Sequence, residues 1–155
     1  MAANQWGIVP AFKLQILTGG HYLGAGTTRA TGVVDTFKGA LYTAGSSMTP
    51  LGYTTYAGST ASEVTGTGYT AGGATVTNAT APLLYSSTAT WTPSASLVWS
   101  GVTISNFDTL GIYNSTQSGN GVALIWLGGA QTVISGTFTV SMPTPGATTS
   151  LIQIA

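Results

Sequence analysis

From residue 33 onward, outside the stretch 43–73, the chain is patterned mainly with a period of two, and this spacing constrains its fold more than any other feature. In residues 33–42, Val33, Phe37 and Leu41 fall on one face of a strand and Thr36 and Lys38 on the other. Short segments rich in Val, Ile, Thr and aromatic residues follow at 74–78, 83–85, 88–91, 97–102, 109–114, 122–127, 132–134, 137–142 and 151–154. Asn106-Phe107-Asp108, Ser118-Gly119-Asn120-Gly121 and Gly128-Gly129 supply turn chemistry between them. Many short strands with no helices between them predict an all-β fold, an antiparallel β-sandwich or small barrel. The uniformly apolar 122–127 run predicts a central strand covered on both sides, whereas Thr137-Phe138-Thr139-Val140 alternates and predicts one wet face.

The region before residue 33 reads differently. Pro10 suits the first turn of a helix and Gly19-Gly20 its end, and Val9, Phe12 and Ile16 recur at three- and four-residue spacing. A helix this short must pack on something else. At 155 residues the chain fits one globular domain, read as an N-terminal arm with a short helix over 1–32 and a β-sandwich over 33–155. The stretch 43–73 has no clean period and exceeds a routine connection, which predicts a functional or interaction loop.

Charge is nearly absent. Lys13, Arg29, Asp35, Lys38, Glu63 and Asp108 make up 4% of the chain, against about 25% in an ordinary soluble domain. Three scattered cations cannot form the basic stripe that a nucleic-acid partner requires. There are no cysteines, so disulfides, thiolate metal sites and thiol catalysis are excluded. The first residues lack the pattern of an export signal, and the longest apolar run, 122–127, is too short to cross a bilayer, so neither secretion nor a membrane partner is expected. A surface of Ser, Thr, Asn and Gln with zero net charge can be buried against other protein without desolvating ions, and this favours an assembly component.

The chemical motifs have plain structural explanations. Gly66-Thr67-Gly68-Tyr69-Thr70-Ala71 fits the G-x-G-x-x-A dinucleotide pattern, but Gly72-Gly73 and a β-prone segment follow it where a helix is required. A serine-hydrolase triad would need His21 with Asp35 or Asp108, and a lone histidine beside Gly19 and Gly20 is better read as a loop residue. Asp35, Glu63 and Asp108 are too dispersed in sequence to suggest a glycosidase pair, and no metal-ligand spacing occurs. No catalytic residue, cofactor or metal is expected. Trp6, Trp91, Trp99 and Trp126 could form a sugar-stacking platform, although aromatic residues on strands more commonly fill cores and subunit contacts. Asn78-Ala79-Thr80 and Asn114-Ser115-Thr116 match the glycosylation pattern, which without an export signal is read as chance.

The segment Glu63-Val64-Thr65-Gly66-Thr67-Gly68-Tyr69-Thr70-Ala71-Gly72-Gly73 resembles the E-V-S-G-T-G-Y-T-A-G-G segment of a family of small virion structural proteins of tailed bacteriophages. The surrounding order is similar: a short amphipathic start, a strand like residues 35–42, a tryptophan-containing strand like Thr90-Trp91, a strand like residues 110–114, and a closing strand like Gly136-Thr137-Phe138-Thr139-Val140. The loop before Glu63 departs from the family's acidic character, and residues 80–105 align poorly. The resemblance implies a non-enzymatic capsid decoration or cement protein, made in the host cytoplasm and located on the outer capsid surface of the virion. Its partners would be the major capsid protein and further copies of itself, with trimers at three-fold positions as the natural arrangement. A tail or head–tail connector component and a glycan-binding adhesin module are the alternatives. The expected contact residues are Trp6, Phe12 and Ile16 near the N-terminus and Tyr53, Tyr56, Glu63, Gly66, Gly68, Tyr69, Gly72 and Gly73 in the long loop. The glycine-rich stretch would let backbone lie close either to a neighbour or to the chain itself.

Overall fold

A computed structural model describes residues 7–17, 19–21, 23, 34–77 and 81–154. Trp6, Arg29, Val33 and the 78–80 glycosylation pattern lie outside the described residues. The elements run β1 (Gly7–Ile8), α1 (Pro10–Leu17), β2 (Phe37–Thr43), a 3-10 helix (Ala57–Ser62), β3 (Ala74–Val76), β4 (Leu83–Tyr85), β5 (Thr88–Trp91), β6 (Leu97–Asn114), β7 (Asn120–Val140) and β8 (Ile152–Ile154). They form two antiparallel sheets, one of five strands ordered β1-β7-β6-β2-β3 and one of three ordered β4-β5-β8. The molecule is therefore all-β and sandwich-like, with one short helix near its N-terminus. No helix among the described residues is long and apolar enough to cross a membrane.

The helix forms where its caps and stripe place it. Val9 and Phe12 are buried in the same core as the strands, and Ile16 packs partly against it. The amides of Gly19 and Gly20 close the end by donating to the carbonyls of Ile16 and Gln15. The helix is preceded by β1, which pairs with Ala123 and Leu124 of β7, so this part of the expected arm is bonded into the main sheet.

The largest departure from the sequence reading is the length of two strands. The expected segments 97–102 and 109–114 are joined in the 18-residue β6, and 122–127, 132–134 and 137–142 in the 21-residue β7. Asn106-Phe107-Asp108 does not end a strand. Asn106 takes a left-handed φ of 55°, and the register shifts there, so the predicted turn is a bulge inside a continuous ladder. Gly128 likewise adopts φ 86° without interrupting β7. Only residues 115–119 turn the chain back. Turn-forming residues are also bulge-forming residues, and cross-strand pairing decides between the two outcomes.

Burial refines two further expectations. β2 begins at Phe37, and its Ala40, Leu41 and Tyr42 are all buried: beyond Gly39, where the pairing with β3 stops, Glu63 and Val64 of the 43–73 loop pair along its edge, and Tyr53 packs against Tyr42. Conversely, only Val122, Ala123 and Leu124 of the 122–127 run are buried; Trp126 is 41% exposed. The run is buried where β1 flanks it, at Ala123 and Leu124, and is partly exposed beyond Leu124. Residues 137–140 alternate between exposed and half-buried, as their pattern predicts.

Candidate functional site

The 43–73 loop is gathered around one buried carboxylate, and the groups it holds are bonded in turn to the main sheet. After the 3-10 helix, Glu63 donates its amide to Thr60, forms an antiparallel bridge with Tyr42, and turns its side chain inward. Its Oε2 accepts from the Tyr56 hydroxyl at 2.6 Å. Its Oε1 accepts from the Tyr69 hydroxyl and the Gly72 amide, both at 2.8 Å. The Tyr69 oxygen also accepts from the Leu41 amide at 3.0 Å, and the Tyr113 hydroxyl donates to the Gly72 carbonyl at 2.8 Å. Tyr56 and Tyr113 stack with centroids 4.5 Å apart and planes 12° from parallel. Nearby, the Tyr42 hydroxyl donates to that of Tyr53 at 3.3 Å. Three donors on one carboxylate compensate its burial, and each ties it to a different part of the loop.

This surrounding fixes the protonation state of the phenols. Burial, with the negative charge of Glu63 added, pushes the Tyr113 hydroxyl up to about 12. Tyr42, Tyr53, Tyr56 and Tyr69 are pushed higher still, in each case chiefly by desolvation. All five stay neutral donors at any ordinary pH, which is what a structural brace requires.

The glycines of the same segment serve this packing. A Cβ on Gly66 would run into the Thr103 carbonyl of β6, beside the Thr67 to Thr103 bridge. Gly73 has φ +69° and lies against the Gly39 carbonyl of β2, so a side chain there is opposed by both conformation and space. Of the two close approaches open to this stretch, the structure contains the internal one.

A second polar cluster holds the hairpin turn. The Asn114 amide nitrogen contacts Nδ1 of His21 at 2.9 Å and Oδ2 of Asp35 at 2.7 Å. Asn114 Oδ1 accepts from the amides of Thr116 and Gln117, which orients the side-chain amide and makes its nitrogen the donor. Nδ1 of His21 therefore accepts, and Nε2 gives its proton to Gln15 Oε1 at 2.7 Å. Gln117 adds a contact of 3.3 Å to Asp35 Oδ1. Folding thus gathers His21 and Asp35 as a triad would need, but around a fully buried asparagine that caps the 115–119 turn. Sequence reasoning missed Asn114; its position at a strand end before a polar turn was the available signal. Its burial also withdraws the Asn114 amide from glycosylation in the folded state.

The expected contact residues therefore divide. Phe12, Tyr53, Glu63 and Gly72 are buried within the chain, Ile16, Tyr56, Tyr69 and Gly73 are half-buried, and Gly66 and Gly68 are exposed. Trp91 and Trp99 are core residues, tilted against Phe37 and Phe138 respectively, so neither offers a stacking face for sugars. Trp126 instead lines an open apolar groove of about 650 Å³ with Ile8, Leu124 and Leu151. The three acids Asp35, Glu63 and Asp108 are all buried, whereas Lys13 is exposed. Among the described residues no group of three or more potential ligands is placed to hold a metal. No family model matches the chain, and no curated protein or solved structure is significantly similar to it.

Proposed function

We propose that the protein is a non-enzymatic virion structural protein of a tailed bacteriophage, a decoration or cement protein that stabilises the head by bridging coat subunits. The observation that carries this reading is the surface left once folding has buried all three acids. It is composed mainly of hydroxyls and amides, with Lys13 the one exposed charged side chain among the described residues, and bears isolated apolar side chains, including Leu51 at 75% and Ile134 at 76% exposure. Away from Lys13 such a surface can be covered by protein without stripping water from ions, and each apolar side chain covered adds stabilisation of about 25 cal/mol per Å². The internal use of Glu63, the tyrosines and the glycines is consistent with the resemblance noted in the sequence: that segment acts as a brace, and a brace is what a load-bearing shell component needs.

Purified virions test the proposal. The chain should be present in copies near-stoichiometric with the coat protein, and heads lacking it should break at lower temperature or milder osmotic shock. A few copies confined to a tail vertex would refute decoration in favour of a connector role. Turnover of a small molecule by the isolated chain, with no affinity for heads, would refute the structural reading altogether.

A further inference from the structure

Among the described residues, β1 flanks β7 at Ala123 and Leu124. Beyond Leu124 β7 pairs with β6 on one side, and no strand among the described residues pairs with it on the other. Natural edges are commonly protected by lysine, proline or bulges. From Asn120 to Val140 there is no charged residue and no proline. Left-handed conformations at Gly128 and Ser135 interrupt the edge, and the last of them leaves Gly136-Thr137-Phe138-Thr139-Val140 as an uninterrupted five-residue run.

That run has a local symmetry. Thr137-Phe138-Thr139 reads the same in both directions, Thr137 and Thr139 are exposed, and Phe138 is half-buried against Trp99 and Phe107. We infer that the Gly136–Val140 edge of β7 pairs antiparallel with the same edge of a second copy, about a two-fold axis through Phe138. This register places Phe138 opposite Phe138 of the other copy on the inner face and Thr137 opposite Thr139 twice on the outer face. Aromatic pairs and threonine pairs are both favourable cross-strand neighbours. A two-fold contact must be complementary to itself, and an uncharged palindrome meets that condition with no like charges opposed. Alternation with one wet face already yields the Thr-Phe-Thr order; what favours a second copy is that this uncharged edge is complementary to itself in that register. Five paired residues bury far less than the roughly 1,200 Å² of a tight complex, so the association is weak and depends on concentration. The contact concerns the isolated chain and is separate from any three-fold arrangement on a shell, so its failure would leave the proposed virion role standing.

Charge placed on the outer face tests the pairing. Thr137→Lys/Thr139→Lys and Thr137→Glu/Thr139→Glu variants alter exposed side chains only, and unchanged thermal unfolding would verify that both fold. Sedimentation equilibrium of the wild-type chain should give dimers at rising concentration, and each variant alone should remain monomeric. An equimolar mixture of the two should dimerise at least as strongly as wild type, because lysines then face glutamates. A wild-type chain that stays monomeric throughout, or a lysine variant that associates as wild type does, would overturn the inference. So would a mixture that stays monomeric.

Discussion

The two halves of the β6–β7 hairpin use the same kinds of residue to different ends. Near the turn, Leu110, Ile112 and Tyr113 of β6 and Val122 and Leu124 of β7 are buried, with β2 and β1 paired outside them. Away from the turn, Leu97, Trp99, Val102, Ile104 and Phe107 of β6 remain buried, but no residue of β7 from Ile125 to Val140 is, and bulges interrupt the ladder. Both halves are equally rich in β-formers. They differ in what lies over them: the 43–73 loop, anchored by Glu63, packs over β2 and the adjoining part of the sheet, and beyond the Thr67 to Thr103 bridge it adds no further pairing to the hairpin. The lesson is that strand propensity forms the ribbon, whereas an element with no periodicity decides where both of its strands, and not β6 alone, become core.

The contrast can be tested in steps. The largest effect should come from Gly73→Ala, where a methyl group would meet the Gly39 carbonyl and the residue would keep a left-handed φ. Overpacking and conformational strain together predict a loss of about 4 kcal/mol or failure to fold, read by urea denaturation. Glu63→Ala should follow at about 3 kcal/mol, because the Tyr56 and Tyr69 hydroxyls and the Gly72 amide would all lose their acceptor. If it costs less than about 1 kcal/mol, the carboxylate is not the fastening described here.

Alkali should undo the same half of the molecule. Tyr42, Tyr53, Tyr56, Tyr69 and Tyr113 have folded pKa values raised above the ordinary value of about 10. Folding therefore favours their neutral forms. Their contribution is complete below about pH 10 and is lost as the pH rises through about 12, where Tyr113 ionises in the folded state. Tyrosinate absorbance should accordingly appear together with unfolding rather than as a separate titration; a smooth titration of all tyrosines near pH 10 in the folded protein would contradict the brace. The smallest effect should come from Gly101→Ala in the far half. Gly101 also has a left-handed φ, +66°, but open space around its Cβ position, so only conformational strain of about 1 kcal/mol is expected. Equal losses at Gly73 and Gly101 would erase the distinction between the halves.

Much of the architecture was legible in the sequence for definite reasons. The helix is bounded by Pro10 and Gly19, both local signals that depend on nothing distant. β4 and β5 occupy the bounds expected for them, because alternation and turn chemistry agree there. The merged strands were not legible: Asn106 and Gly128 look the same in sequence whether they end a strand or kink one. Nor was the role of the long loop, since the 63–72 segment meets Leu41 and Tyr113, both distant in sequence, only once β2 and β6 are paired.

The amino-acid order alone settled that this chain forms strands, that its one helix is short, and that its surface carries almost no ions, because periodicity, capping and composition act locally or by simple count. Tertiary structure decided that the few acids lie inside, that the glycine-rich segment closes on its own sheet, and that both strands of a single hairpin are buried near its turn while only β6 is buried away from it. Those outcomes depend on which distant segments share a neighbourhood, and burial, hydrogen-bond satisfaction and close approach acquire values only when that neighbourhood exists.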